Sequence, residues 1–170
     1  MAEALQGRII ALARAHDLLR PAITGETSAD TEQASFEALV REVLAPHLEL
    51  QAAAGEHVRL TGPEFWIGPN AISSLALVLH ELATNAVKYG SLSVSEGRLD
   101  VQWHMEADGL AVTWCERGGP PIAGPPAETG FGSMLSQQSV TSQLGGRIEF
   151  DWQAEGLVVR LKLPLGNLGR

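Results

Sequence analysis

Between Leu75 and Tyr89 apolar side chains return every three or four positions. Laid out as a helix, Leu75, Leu79, Leu82, Ala86 and Tyr89 share one face, and Glu81, Asn85 and Lys88 share another at i, i+4 and i+7. Pro69-Asn70 opens this helix, with proline near the first turn, where a missing N–H is tolerated, and Gly90 stops it. Upstream, residues 4–19 place Leu5, Ile9, Leu12, His16 and Leu19 at helical spacing, and Pro21 and Gly25 end that segment. The polar run from Thr24 to Gln33 reads as an exposed linker. Phe36 to Leu50 forms a second helical segment striped by Phe36, Leu39, Val40, Val43 and Leu44, which Pro46 is expected to bend or break. His57 to Leu60 and Phe65 to Ile67 read as two short strands around a Gly62-Pro63 turn.

Past Gly90 the period drops to two. Leu99, Val101 and Trp103 alternate with polar residues, as do Leu110, Val112 and Trp114, and the tight turn Ala107-Asp108-Gly109 joins the two runs into a hairpin. Residues 117–132 are dense in glycine and proline and read as a long loop of the kind that often carries function. Met134 to Leu144 returns to helix, capped by Gly145-Gly146, and Ile148 to Trp152 with Leu157 to Leu163 forms a closing hairpin. Strands grouped late in the chain, with helices to cover one face, predict an α+β fold: a two-layer α/β sandwich with an additional N-terminal helix. The alternation of a doubly wound parallel sheet is missing. So are a P-loop and a G-x-G-x-x-G directly after a strand.

Composition narrows the function classes. The chain has 170 residues, 45% of them hydrophobic, enough for one domain with a proper core plus a short extra element. A formal net charge of −8 argues against general binding to nucleic acid or to an anionic membrane. The single cysteine, Cys115, excludes an intrachain disulfide framework and a cysteine-based zinc cluster. The sequence contains no apolar run of membrane-spanning length and no basic-then-apolar leader, so a cytoplasmic location is expected.

Three groups of residues carry candidate chemistry. The row Glu81, Asn85, Lys88 suits a metal-bound polyphosphate. A carboxamide oxygen on Asn85 can ligate magnesium without adding charge beside phosphates, Glu81 can orient a water or polarise an attacking group, and Lys88 can meet a phosphate as a mobile point charge. The plain alternative is a solvated helix face with a weak i, i+4 contact. His80 lies on neither clean face and either orients Glu81, touches a phosphate or packs against a neighbouring helix. In the second group, Trp114-Cys115-Glu116-Arg117-Gly118-Gly119, the Glu116 carboxylate can accept a hydrogen bond from the exocyclic amine of adenine, where guanine presents an oxygen. Gly118 and Gly119 let backbone approach a flat ligand, and Trp114 reads as core or wall. In the third, Gly130-Phe131-Gly132-Ser133, backbone N–H groups at a helix start suit phosphate oxygens. His16 reads as a packed histidine, and His47, His57 and His104 have no partners at metal-ligand spacing.

These three boxes, in this order, resemble the ATP-binding domain of sensor histidine kinases, a member of the wider fold shared with DNA gyrase and a class of chaperones. His80 to Ala86 is similar to the N box, Glu116 to Gly119 to the first glycine box and Gly130 to Gly132 to the second. His80, Trp114 and Glu116 match the HWE subgroup, named for a histidine in the N box and a Trp-x-Glu in the first glycine box. The resemblance implies a Bergerat-type fold, with a mixed, mostly antiparallel sheet and helices on one face, over residues 35–165. It implies ATP and Mg2+ as cofactors, with Asn85 holding the metal, Glu81 and His80 catalytic, and Asn85, Lys88, Glu116, Gly118, Gly119, Gly130, Gly132 and Ser133 binding ATP beneath a lid at 117–131. Residues 1–24 resemble part of a dimerisation and phosphotransfer hairpin, which implies a possible homodimer through this helix. The family's His-Arg-x-x-Asn acceptor motif does not occur here, so the acceptor histidine is expected upstream of Met1 in a longer kinase. The implied partner is the receiver domain of a response regulator. Two other readings stay open on the residues: a phosphotransfer or scaffold protein that no longer binds nucleotide, and a serine kinase of the anti-sigma type.

Overall fold

The computed structural model describes residues 2–17, 33–48, 57–126 and 131–169. Helix α1 (Ala2–Asp17) is followed by the two-residue strand β1 (Ala34–Ser35), helix α2 (Phe36–Leu48), and strands β2 (Val58–Thr61) and β3 (Trp66–Ile67). The long helix α3 (Pro69–Lys88) leads through a 3-10 turn at Ser91–Ser93 into the hairpin β4 (Arg98–Met105) and β5 (Gly109–Arg117). Helix α4 (Phe131–Gln138) continues into a π turn at Ser139–Gln143, and the hairpin β6 (Arg147–Gln153) and β7 (Gly156–Pro164) closes the fold. Gly145 leaves the π turn at φ +62°, a left-handed conformation that glycine adopts without a Cβ penalty.

The main sheet has five strands in the order β2-β4-β5-β7-β6, with β2 parallel to β4 and every other pair antiparallel. This is the mixed, mostly antiparallel sheet expected. Alternation sends Leu99, Val101 and Trp103 of β4, Leu110, Val112 and Trp114 of β5, and Leu157, Val159, Leu161 and Leu163 of β7 into the core. Intervening residues such as Gln102, His104, Arg160 and Lys162 remain exposed. Each fully buried Leu or Val contributes roughly 1.5–3 kcal/mol of transfer free energy, so the sandwich is held mainly by this shared face.

The two short strands lie on either side of the Gly62-Pro63 turn as expected, but they go to different sheets: β2 joins the main sheet and β3 pairs with β1, Ala34 opposite Ile67 and Ser35 opposite Trp66. Pro46 lies inside α2 and the helix runs on to Leu48 without breaking. The α2 stripe of Phe36, Leu39, Val40, Val43 and Leu44 is buried as read. In α1, Ile9 is 59% exposed, against the expected stripe. The packed face is Gly7, Arg8, Ala11, Leu12 and Ala15, where α1 lies against α3 and the small Gly7, Ala11 and Ala15 let the two helices approach closely. Leu5 and His16 have no described side chains, and Leu19 lies outside the described residues.

Helix α3 buries more than one stripe: Ile72, Leu75, Val78, Leu79, Leu82, Ala83 and Ala86 are all covered, since α1, α2 and α4 pack around it as well as the sheet. Its last turn corrects the reading of Tyr89. The helix ends at Lys88, Tyr89 takes φ −134° at the cap, and its ring is 73% exposed rather than part of the core stripe. No helix among the described residues is long and apolar enough to cross a membrane.

Candidate functional site

Both glycine boxes meet the same helix. At the C-terminal end of α3, Gly90 lies so close to the Glu116 carboxylate that any Cβ there would collide with Glu116 Oε2. Farther back, Gly132, in the first turn of α4, lies against Glu81 Oε2 in the same way. Glu81 and Gly90 are nine residues apart, which on a helical rise separates the two contacts by roughly 13 Å. Asn85 lies between them, half-buried, and its backbone carbonyl accepts from the N–H groups of Tyr89 and Gly90. Lys88 is exposed at the last turn.

Glu116 is 3% exposed at the end of β5. Strand alternation explains its direction: Leu110, Val112, Trp114 and Glu116 occupy every second position and face the helical layer. The carboxylate therefore points at the end of α3 and the 3-10 turn. Ser91 N donates to Oε2 at 2.9 Å and Trp114 Nε1 donates to Oε1 at 3.0 Å. Burial pushes the carboxyl above the usual glutamate range, and the two donors pull partly the other way. The Ser91 hydroxyl beside it is buried without a partner. Gly118 takes φ +71°, and a Cβ on Gly119 would meet Ser91 backbone at 2.9 Å, so both first-box glycines are there for conformation or space.

At the other end of the row Glu81 is not open. Arg8 Nε of α1 donates to Glu81 Oε1 at 2.5 Å, with side chains 13% and 12% exposed. This pairing raises the Arg8 pKa further above its ordinary value. His80 packs against Gly7 of α1, which has no room for a side chain, and its ring lies 6.1 Å from that of His47 on α2. Burial lowers the pKa of both histidines; for His47 the nearby His80 adds to this, and for His80 the Glu81 carboxylate opposes it while Arg8 and Lys88 add to it. His80 thus takes the packing alternative while remaining next to Glu81. Ser133 is half-buried in α4, which starts at Phe131, three residues before the expected Met134. Gly130 and the rest of 127–130 lie outside the described residues.

Three contributors escaped the reading of the sequence. Arg8 had no local signal, since its partner is 73 residues away. Ser91 acts through its backbone. Trp114 is fully buried wall as expected, but its indole N–H also holds Glu116; the Trp-x-Glu spacing on a strand, which puts both side chains on one face, was the available clue. A depression of about 300 Å3 lined by Glu106, Asp108, Gly145, Arg147 and Lys162 lies at the opposite end of β5, away from all these residues. Among the described residues no cluster of three or more His, Cys, Asp or Glu is placed to hold a metal ion.

Comparison with known proteins gives this geometry a context. The family model described as HWE histidine kinase matches residues 1–64. A blue-light-activated histidine kinase of Erythrobacter litoralis is 40% identical over 166 residues, covering 96% of this chain and 44% of that protein, so the chain spans less than half of that relative's length. The solved histidine kinase domain of an Erythrobacter litoralis blue-light-activated histidine kinase shares the fold at TM-score 0.75 and 19% identity, covering 98% of this chain and 82% of that one. The histidine kinase ThkA, solved in complex with the response regulator TrrA, aligns at TM-score 0.57 and 17% identity over 78% of this chain and 41% of that one. Residues 1–64 match the HWE histidine kinase family, and sequence likeness to a histidine kinase runs along nearly the whole chain, on the fold of histidine kinase domains.

Proposed function

We propose that the chain binds ATP with Mg2+ and transfers the γ-phosphoryl group to a histidine, for relay to an aspartate on a response-regulator receiver domain. The observation that carries this reading is Glu116: a buried carboxylate, held by two N–H donors, directed at the end of the helix that bears Asn85. A carboxylate is placed in such a position at a desolvation cost, which a base-recognition role explains and a packing role does not. Each carboxylate oxygen retains acceptor capacity for the exocyclic amine of adenine.

The remaining parts fit a triphosphate laid along α3. The Gly90–Glu116 contact marks the base end, and the Glu81–Gly132 contact marks the phosphate end. Asn85, between them, would hold magnesium through its carboxamide oxygen, which adds no negative charge beside the phosphates; the ion would neutralise charge during transfer. Lys88 and the backbone N–H groups at the start of α4, with Ser133, would meet phosphate oxygens. Glu81, flanked by His80, would polarise the attacking imidazole. Its nitrogen forms the bond to phosphorus as the bond to the β-phosphate oxygen breaks, and the imidazole proton passes to the carboxylate or to solvent. The response regulator as partner is supported by the ThkA complex of the same fold.

Titration of the chain with ATP and magnesium tests the site. Asn85→Ala and Glu116→Gln are each expected to weaken binding at least about tenfold, the worth of one charge-assisted contact. Equal affinity in the wild-type chain and both variants refutes the site. Chemistry is tested by incubating the chain and a histidine-bearing hairpin of a related kinase with labelled ATP: acid-labile label supports phosphohistidine, and acid-stable label overturns it.

A further inference from the structure

We infer that Trp114 is a positioning residue that sets base specificity, by holding Glu116 as an oriented, acceptor-only group. The inference rests on the reading of Glu116 as the adenine partner and goes beyond it, because it assigns the selectivity to a side chain that need not touch nucleotide.

Trp114 and Glu116 are two residues apart on β5, so their side chains leave the same face of the sheet. Trp114 is fully buried, and its indole Nε1, a donor with no acceptor function, reaches Oε1 of Glu116 at 3.0 Å. The Ser91 N–H reaches Oε2 at 2.9 Å. One donor on each oxygen fixes the plane of the carboxylate and occupies one lone pair apiece. The free lone pairs then have a fixed direction. Glutamate has one more torsion than aspartate, and the indole takes up that freedom.

Among the described residues no charged side chain compensates Glu116. Across the ladder on β4 it faces Leu99, at the end of α3 it faces Gly90, and backbone of Gly156 on β7 abuts its carbonyl. Arg117, next to it on β5, turns its guanidinium to the Glu116 carbonyl oxygen and to Gln153. What favours the charged form of this carboxyl against its burial is therefore the pair of N–H donors. Without the indole donor, the carboxyl is held by the Ser91 N–H alone and is more readily protonated. A protonated carboxyl presents an O–H, which complements the carbonyl of guanine as well as a carboxylate complements the amine of adenine. Trp114 thus denies the site to guanine nucleotides.

The test measures magnesium-dependent affinity for ATP and for GTP by calorimetry on the whole chain. Trp114→Phe, which keeps an aromatic ring and removes the N–H, is expected to lower the ATP-over-GTP ratio at least about tenfold. Where Phe leaves a cavity that unfolds the chain, 3-benzothienylalanine at position 114 keeps the fused ring without the donor and is expected to give the same ratio. Combined with Glu116→Gln, the Trp114 change is expected to leave the ratio where Glu116→Gln alone puts it. If either Trp114 variant weakens ATP and GTP equally, the tryptophan is only wall and the inference falls. If Glu116→Gln alone leaves the preference for ATP intact, the underlying reading of Glu116 fails instead.

Discussion

Replacing Arg8 by methionine removes the guanidinium that meets Glu81 while keeping most of the aliphatic stem that packs α1 on α3. The two side chains are 13% and 12% exposed and 2.5 Å apart, so neither charge is well hydrated in the fold. Taking away one partner leaves Glu81 as a largely desolvated carboxylate. Fully buried pairs lose about 3–5 kcal/mol when broken this way, and exposed pairs lose under about 1 kcal/mol. With an eighth of each side chain open to water, about 2 kcal/mol is expected, roughly thirtyfold in the folding equilibrium. Glu81→Gln alone should cost less, because the amide oxygen introduced there can still accept from Arg8 Nε, although the guanidinium loses its counter-charge. The double variant should recover most of the Arg8→Met loss. Arg8 makes other interactions as well, and these are lost in both legs of the cycle, so the coupling term isolates the pair. The assay is urea unfolding followed by tryptophan fluorescence, with equal m-values across the four proteins as the check on two-state behaviour. A coupling energy below about 0.5 kcal/mol would mean that the ion pair contributes no more than a surface contact, and the argument from burial would be wrong.

Gly90→Ala places a Cβ against Glu116 Oε2 and 2.9 Å from the Ala86 Cα, so the carboxylate must move; a stability loss of about 1–3 kcal/mol and weaker ATP binding are expected, and unchanged calorimetric affinity would show that Glu116 tolerates displacement. The fold should also weaken in mild acid. His47 and His80 have folded pKa values below the ordinary 6.5, so the unfolded chain takes protons first; the stability they contribute is fully present above 6.5 and is lost as pH falls through that value toward their lower folded ones. Urea midpoints at pH 7.5 and 5.5 measure this, and His47→Gln should flatten the difference; an unchanged difference in that variant would place the loss elsewhere.

Much of the fold was legible because its elements are long enough to show a period. The α3 stripe of Leu75, Leu79, Leu82 and Ala86 and the two hairpins repeat over several turns or pleats, and the buried residues follow them. The pairing of β1 with β3 was not legible, since two residues carry no period, and the parallel partner of β2 is set by distant packing rather than by a local turn. Tyr89 failed as a core residue because the helical period was extended one residue beyond the helix. Ile9 failed because α1 packs through its small residues, which a search for large apolar side chains passes over. In the site, Asn85 and Glu116 stood out by residue type and context. The Arg8–Glu81 pair did not, because nothing local in a sequence reports a contact between residues 73 apart.

Helix α3 has unusually little room to drift. Its buried side is committed to three neighbouring helices and a sheet, and its other side carries Glu81, Asn85 and Lys88. Substitutions on the first side would produce heat-sensitive or poorly accumulating protein, and on the function proposed those on the second would produce well-folded protein that no longer uses ATP. Glu81 belongs to both classes at once through Arg8, so during divergence these two positions can change safely only as a pair.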